Sequence, residues 1–480
     1  MPDAPDGPGD APGGAWLDRL PAVLIGAGFV AIALAAYWLP GSSPRFYNHF
    51  VWQAIAFLDG RAQITWPVDG PSVAGNAYFQ DVFPAPGPHG EQTGYGLLPF
   101  PPLPALVLLP FVALWGLWTD VRAISVALGA LAVGLAWWAL GGLAVSRAVR
   151  AATTAFFGLG TVFWYAAQLG TTWFLAHVVA VTCLLLAVGL ALRSDPDAGR
   201  DVDRMPGAGS LAPAIGRALR HPLEVIDGRQ FAAGVLFGLA CTARLTVAFG
   251  APFFMLVGGG GSWVRRSVSA GLGAAIPIGL LLAYTLATTG HLIHPGYEYL
   301  YRLEATGYPG LGYNPDWNIE DLRYVPQNLG IMLFSTPAIL PAVTPSTVVA
   351  SQPFCVEPGA VRELFSSTCP LAYPRDVGTS LILTSPGYLL AIPALRSRSR
   401  LVVGALVAIG LIAFVNLMHF SQGWVQFGYR FSNDFVVFTL PLVAVGMARR
   451  SRVGALGFTL IGLSILVNAW GVIWGNVLGW

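Results

Sequence analysis

The chain has 480 residues, of which 55% are hydrophobic and only 10% are charged, and its mean hydropathy is +0.62. This composition excludes a soluble domain with a mainly hydrated surface, because most side chains must face lipid or each other. All 26 basic residues are arginine, and a net charge of +2 gives no indication of nucleic-acid binding. The composition predicts an integral membrane protein.

The amino-terminal segment divides into a polar tail and a first membrane span. Residues 1–19 are rich in proline, glycine and aspartate, with no basic stretch or cleavage site of a signal peptide. They predict a disordered cytoplasmic tail. Leu20–Leu39 carries no charge, and its length at ~1.5 Å per residue crosses a ~30 Å hydrocarbon core.

A long loop, residues 40–120, separates this span from the next. It contains an aromatic amphipathic segment at 46–61 and an apolar, proline-opened segment at 98–118. We interpret both as juxtamembrane helices that build a cavity at the membrane surface. If 98–118 crossed the membrane instead, every later span would invert and the arginine clusters would lie outside.

The arginine clusters define the rest of the topology. Placing them in the cytoplasm puts 17 of the 26 arginines inside and 9 outside, as the positive-inside rule requires. This predicts an all-α membrane domain over 20–480, with the amino terminus inside, the carboxyl terminus outside, a cytoplasmic loop at 193–229 and an outer loop region at 290–377. The eleven predicted spans are 20–39, 121–145, 151–168, 173–192, 230–243, 246–261, 268–289, 378–395, 401–419, 433–448 and 453–473.

Two further features of the sequence are the short spans in the middle of the chain and a pair of cysteines in the outer region. Spans 230–243 and 246–261 are short, so a re-entrant helical pair is an equally good interpretation of them. Cys355 and Cys369 lie in a polar insertion of the outer region. We predict that they form a disulfide, which is worth ~3 kcal/mol in an oxidising compartment.

Several ordered sequence pieces resemble a known enzyme group. They are NHFVWQAIAFLDGR, FPPLPALVLLPFVALWG, TTWFLAHVVA, HPGYEYL, QNLGIMLFSTP, LTSPGYLLAIPAL and QFGYRFSNDF. In their content and order they resemble the GT-C superfamily of polytopic glycosyltransferases, which includes bacterial protein mannosyltransferases and aminoarabinose transferases. The resemblance implies juxtamembrane helices in the first outer loop of a bacterial inner-membrane protein. It also implies sugar transfer from a polyprenyl-phosphate donor on the outer face.

The chemistry of such a transfer requires a carboxylate to accept the proton of the attacking acceptor. The family usually places an acid soon after the first span, where this chain has Tyr47, Asn48 and His49 instead. Asn48 and His49 are assigned to substrate binding. Asp81, in the same loop, is the predicted catalytic base, and Asp59 is a weaker candidate that equally fits a helix end paired with Arg61.

The departing lipid phosphate requires cationic or hydrogen-bonding groups. Arginines in apolar sequence are costly and mark substrate paths, which selects Arg244 and Arg430. Arg430 lies four residues before Asp434, so a local ion pair on a helix is the alternative. The remaining substrate-binding candidates are Arg122, His294 and Tyr297, and His177 is either hydrogen-bonded structure or a ligand.

A divalent metal is a minor alternative cofactor. His291, His294 and Glu298 have suitable spacing only on a continuous helix, which Pro295 opposes. The expected partners are the polyprenyl-phosphate sugar and membrane lipids, with a protein partner left open and no nucleic acid. Two other functions remain: a catalytically degenerate GT-C-like scaffold subunit, favoured by the missing early acid, and a lipid or solute transporter, disfavoured because no internal repeat is visible.

Overall fold

The computed structural model describes most of the apolar chain. The described residues are 19–41, 48–65, 81–86, 92–195, 198, 226–303, 312, 314, 316–341, 354–423, 425–448 and 453–479. Nearly all of the predicted cytoplasmic tail, and most of the predicted cytoplasmic loop at 193–229, lie outside this set.

Helices dominate the described residues. They are α1 (Ala22–Trp38), α2 (His49–Leu58), α3 (Leu103–Trp115), α4 (Val121–Leu140), α5 (Arg147–Gly160), α6 (Phe163–Leu169), α7 (Thr172–Ser194), α8 (Gly228–Cys241), α9 (Ala251–Leu256), α10 (Trp263–Thr289), α11 (Gly296–Leu303), α12 (Val325–Phe334), α13 (Leu381–Thr384), α14 (Arg400–Met418), α15 (Val436–Ala448) and α16 (Ala455–Val477). Short 3₁₀ segments occur at Gly116–Trp118, Leu245–Gly250, Leu322–Tyr324, Pro386–Arg396 and Arg430–Asp434.

Among the described helices, α4, α7, α10, α14 and α16 are long and apolar enough to cross a membrane. The prediction of a helical membrane protein is therefore confirmed, whereas the count of eleven spans stays a prediction. The structure adds two small sheets that the sequence analysis missed. One has the order β1 (Ile64–Thr65), β3 (Gln92–Leu97), β2 (Phe83–Pro86), and the other pairs β4 (Ala338–Ile339) with β5 (Ala372–Tyr373), all antiparallel.

Several predicted spans are broken helices. The segment 151–168 is divided between α5 and α6, because Thr161 adopts an extended conformation after α5. The segment 378–395 begins as α13 and continues as a 3₁₀ helix that contains Pro393. Proline removes a backbone donor and crowds the preceding turn. These breaks leave polar backbone groups near the core of the bundle.

The juxtamembrane helices α2 and α3 pack on each other. Phe50, Val51 and Ala54 share one buried cluster with Ala105 and Leu108. Helix α3 has 13 residues, which gives it a length of about 20 Å. That is less than the ~30 Å of a hydrocarbon core, but α15 in a predicted span is equally short, so the interpretation of 98–118 as a non-spanning segment stays a prediction.

Arginine side chains tie several helix ends together at one end of the bundle, which we call the arginine end. Arg147 donates to the carbonyl of Leu20 at 2.8 Å, and Arg193 donates to that of Trp138 at 3.0 Å. Arg400 lies 3.4 Å from the buried carboxylate of Asp195. The 23-residue helix α7 runs from this end to the opposite end, where its first residue, Thr172, lies.

The opposite end carries the small sheets and a disulfide. Cys355 and Cys369 are joined by an S–S bond. Arg362, between them in sequence, donates to the carbonyls of Pro341 and Pro370 at 2.9 Å each. Beside this loop, Phe354 and Tyr373 pack with Trp474, near the end of α16. The disulfide-bonded loop is thus held against the last helix.

Candidate functional site

A cavity of about 1310 Å³ opens at the end of the bundle that lies opposite the arginine end. Its walls come from the first turn of α7, the residues between α8 and the 3₁₀ segment Leu245–Gly250, the end of α10, helix α11, and the residues that follow α14. The polar and charged side chains that line it are Asp81, Thr171, Thr172, Trp173, Arg244, Thr246, Tyr284, Thr285, His291, His294, Tyr297, Glu298, Glu320, Asn416, His419, Ser421 and Arg430.

Asp81 is held in the cavity wall by Trp173. The indole nitrogen of Trp173 donates a hydrogen bond of 2.7 Å to Oδ2 of Asp81. Asp81 has a φ of 66°, in the left-handed region where aspartate is one of the few residues found with any frequency. Strained backbone of this kind concentrates at functional sites. The carboxylate therefore has one anchored oxygen in an unusual backbone setting.

Arg244 enters the cavity from the break between α8 and the next 3₁₀ segment. Its guanidinium makes two hydrogen bonds to Asp434, from Nε to Oδ1 at 3.1 Å and from a terminal nitrogen to Oδ2 at 3.0 Å. Asp434 is fully buried, whereas the side chain of Arg244 keeps 21% of its surface exposed. The carboxylate thus fixes the guanidinium while leaving part of it accessible from the cavity.

Other side chains complete the surroundings of Asp434. Thr246 and Asn416 donate to Oδ2 at 2.8 and 3.2 Å, and Nδ1 of His177 lies 2.9 Å from Oδ1. The predicted local pair of Asp434 with Arg430 assumed an α-helix, but residues Arg430–Asp434 form a 3₁₀ segment. The carboxylate joins α7, residues 244–246 and α14.

Arg430 lies beside the same aromatic ring as Arg244. Its guanidinium carbon is 5.4 Å from the ring centroid of Phe431 and 5.4 Å from that of Phe174. The guanidinium carbon of Arg244 is 5.3 Å from the centroid of Phe431. Cation–π contacts of this kind favour a fixed guanidinium plane. The two predicted phosphate-binding arginines therefore converge on one place.

His294 and Tyr297 also line the cavity. Nδ1 of His294 accepts a hydrogen bond of 3.0 Å from the backbone of Gly296, and burial lowers the pKa of His294 to about 4. The imidazole is consequently neutral near pH 7. Burial raises the pKa of the Tyr297 phenol above its usual range, against the opposing effect of Arg244. Both residues are neutral hydrogen-bonding groups.

Glu320 and His419 form a pair in the cavity that the sequence analysis missed. Nδ1 of His419 lies 3.2 Å from Oε1 of Glu320. The two residues are 99 positions apart, in a loop and at the end of α14, so no local sequence pattern links them. Trp173 and Asp434 were likewise not assigned to the site, although an aspartate in apolar sequence is a recognisable signal.

Three other predicted substrate-binding residues do not line this cavity. The ring of His49 is fully buried, and its Nδ1 forms a hydrogen bond of 2.8 Å with the hydroxyl oxygen of Thr172. Asn48 precedes α2. Arg122 donates to the carbonyls of Trp38 and Gly41 at 3.1 and 3.0 Å. The contact of His49 joins α2 to α7, whose Thr172 lines the cavity, and the contacts of Arg122 join α4 to the end of α1.

The metal alternative finds no support in the described residues. No group of three or more His, Cys, Asp or Glu side chains suited to a metal ion occurs in them. Asp59, the weaker base candidate, bonds Arg61 at 2.7 Å outside the cavity. His177 is buried against Asp434, which agrees with the structural alternative for that residue.

Comparison with known proteins adds no identification. No protein-family model, curated protein or solved structure matches the chain. The interpretation of the cavity therefore depends on its geometry. It combines an anchored carboxylate, two guanidinium groups beside one aromatic ring and neutral donors, in a space large enough for a glycosyl phosphate.

Proposed function

We propose that the protein is a glycosyltransferase that moves a sugar from a polyprenyl-phosphate donor to an acceptor on the outer face of the membrane. The observation that carries the proposal is the convergence of Asp81, Arg244 and Arg430 on one cavity. A carboxylate and a pair of guanidinium groups are the parts that glycosyl transfer from a phosphate requires. The resemblance to the GT-C superfamily is consistent with it.

In this proposal the arginines bind the donor phosphate. Arg244 keeps an exposed edge while Asp434 holds the rest of its guanidinium, so its position costs little reorganisation when the phosphate arrives. Arg430, fixed by its two aromatic contacts, supplies the second charge. Tyr297 and His294 offer neutral hydrogen bonds at the sugar or phosphate.

Asp81 then accepts the proton of the acceptor hydroxyl as its oxygen attacks the anomeric carbon. Trp173 occupies Oδ2 of the carboxylate, so Oδ1 is the oxygen assigned to the proton. The distance between the base and the arginines is set by α7, because its first turn carries both Trp173 and Phe174.

The membrane arrangement belongs to the same proposal. The arginine end faces the cytoplasm, the cavity faces outward, and eleven spans lie between an inner amino terminus and an outer carboxyl terminus of the bacterial inner membrane. The positive-inside rule supports this orientation. The contacts of Arg147, Arg193 and Arg400 at a common end of the bundle also support it.

The test is donor consumption by purified protein in lipid nanodiscs, with a panel of synthetic polyprenyl-phosphate mannose, glucose, galactose and arabinose and a membrane extract as the acceptor source. We expect Asp81→Asn to lower the rate by ~10²–10⁴. Arg430→Ala is expected to raise the donor KM as well as lower kcat. Asp316→Asn and Arg398→Ala, at exposed positions outside the cavity lining, are the matched controls.

Two results would count against this function. Full activity of Asp81→Asn would remove Asp81 from the mechanism. A wild-type protein that consumes none of the donors but co-purifies with a fixed partner would support the alternative of a catalytically degenerate GT-C-like scaffold, which the absence of an early acid at Asn48 and His49 favours.

A further inference from the structure

The pair formed by Glu320 and His419 is part of the cavity and has no role in the function proposed above. Both side chains line the cavity, with 28% of the surface of His419 and 45% of that of Glu320 exposed. The pair is thus open to a ligand. A histidine whose one ring nitrogen is oriented by a carboxylate is a recurrent acid–base arrangement in enzymes.

The backbone holds the pair in a fixed register. Glu320 and His419 form an antiparallel β-bridge. On either side of it, Asp321 donates to the carbonyl of Met418 at 2.8 Å and Phe420 donates to that of Ile319 at 2.9 Å.

A buried side chain braces the same backbone. Nδ2 of Asn328, on α12, donates to the carbonyls of Leu417 and His419 at 2.8 Å each. The pair therefore lies on a braced scaffold rather than on a free loop end. Such preorganisation is what a catalytic group requires.

The imidazole and the two arginines contact the same aromatic ring. The ring centroid of His419 is 6.3 Å from that of Phe431, with the rings perpendicular at 88°. The guanidinium carbons of Arg244 and Arg430 are 5.3 and 5.4 Å from the same ring. All three basic groups thus contact Phe431, and all of them line the cavity in which the phosphate is proposed to bind.

We propose that His419, oriented by Glu320, is a general acid that protonates the departing phosphate. This inference rests on the proposed glycosyl transfer. As the bond between the anomeric carbon and the phosphate oxygen breaks, its electron pair stays on that oxygen. A proton moves from Nε2 of His419 to the phosphate, while the acceptor oxygen bonds the anomeric carbon and gives its own proton to Asp81. Proton exchange with water then restores both groups.

The charged surroundings of His419 fit this cycle. Among the described residues, Glu320 contacts its Nδ1, and the guanidinium groups of Arg244 and Arg430 contact the ring of Phe431, which His419 also contacts. A phosphate bound by these arginines is an anionic acceptor for the proton of the imidazole.

The experiment measures kcat and donor KM against pH for the wild type, His419→Gln and Glu320→Gln, with the donor panel in nanodiscs. We expect His419→Gln to lower kcat by ~10²–10⁴, with donor KM changed less than about threefold. The fall of the wild-type rate at alkaline pH should be absent in this variant. Glu320→Gln, which keeps the imidazole, should lose less activity and shift that alkaline limb.

Controls separate folding and binding from catalysis. Glu357→Gln makes the same chemical change as Glu320→Gln at an exposed position outside the cavity lining. His419→Asn is the second variant if His419→Gln gives a low folded yield by gel filtration. A His419 variant that keeps kcat within about threefold, or that raises KM alone, would overturn the role of His419. The proposed glycosyltransferase function would not be affected by that result. An inert wild type would overturn both.

Discussion

At the scale of single residues, the cavity is organised by charges that find partners far away in sequence. The sequence analysis identified Asp81, Arg244, Arg430, His294 and Tyr297 because polar groups in apolar sequence are rarely incidental, and the structure places all of them on one cavity. The sequence analysis could not predict which of these charged residues pair with which. Asp434 contacts Arg244, 190 positions earlier, and this contact depends on tertiary packing that no local spacing encodes.

The first residue prediction concerns Asp434. Replacing it with asparagine leaves Arg244 as an uncompensated charge, and breaking a buried pair in this way costs ~3–5 kcal/mol. We expect Asp434→Asn to lower the thermal midpoint clearly. The double variant with Arg244→Leu should lose less stability than the sum of the single changes. If thermal aggregation measurements show that the stability losses of the single variants simply add in the double variant, the two residues are not coupled.

A second residue prediction concerns Asp376, in the segment before α13. Burial raises the pKa of its carboxyl to about 6, above the ~3.9 of an unfolded chain. The folded state therefore binds the proton more tightly, and stability is lost as pH rises from about 4 to about 6. Asp376→Asn should raise the thermal midpoint at pH 8 and leave it unchanged near pH 4. An equal gain at both pH values would assign the effect to something other than charge.

At the scale of elements, hydropathy found the apolar segments but not their breaks. Helices α1, α4, α7, α10, α14 and α16 fall within about five residues of predicted spans. The breaks at Thr161 and at the 3₁₀ segment Pro386–Arg396 were not predicted, because a change from α-helical to extended or 3₁₀ backbone does not change the mean hydropathy of a segment. The small sheets were missed because three of their five strands, β1, β4 and β5, have only two residues each.

The element prediction concerns the disulfide-bonded loop. The cysteines are 14 positions apart, and closing a loop of this size is worth ~3 kcal/mol. We expect Cys355→Ser to make residues 354–375 cleavable by a protease at concentrations that spare the wild type, with Cys183→Ser as the control. Non-reducing peptide mapping that finds both thiols free in protein from native membranes would contradict the bond.

At the scale of the whole molecule, the two ends of the bundle differ in chemistry. At one end, arginine side chains donate hydrogen bonds to the carbonyls of neighbouring helices. The other end contains the cavity. These arginines contact the helix ends next to them, and the side of the membrane on which the arginine end lies stays a prediction.

The orientation predicts a labelling pattern. A membrane-impermeant maleimide added to intact cells should modify a cysteine introduced at Asp59, on the cavity side, and spare one introduced at Arg398, on the arginine end. Both positions are exposed, so access depends only on the side of the membrane. Permeabilised cells, in which both should react, provide the control. The reverse pattern would invert the topology and move the cavity to the cytoplasm.

The long separation between Arg244 and Asp434 has a consequence for biogenesis. The chain is made from its amino terminus, so Arg244 enters the membrane before its counter-ion has been synthesised. Until then, the nascent chain carries an unneutralised charge in an apolar segment, the kind of feature that membrane quality-control proteases meet in unfinished proteins. Chains truncated after Phe420 should be degraded faster in pulse–chase experiments than chains truncated after Ala448, and Arg244→Leu should narrow that difference.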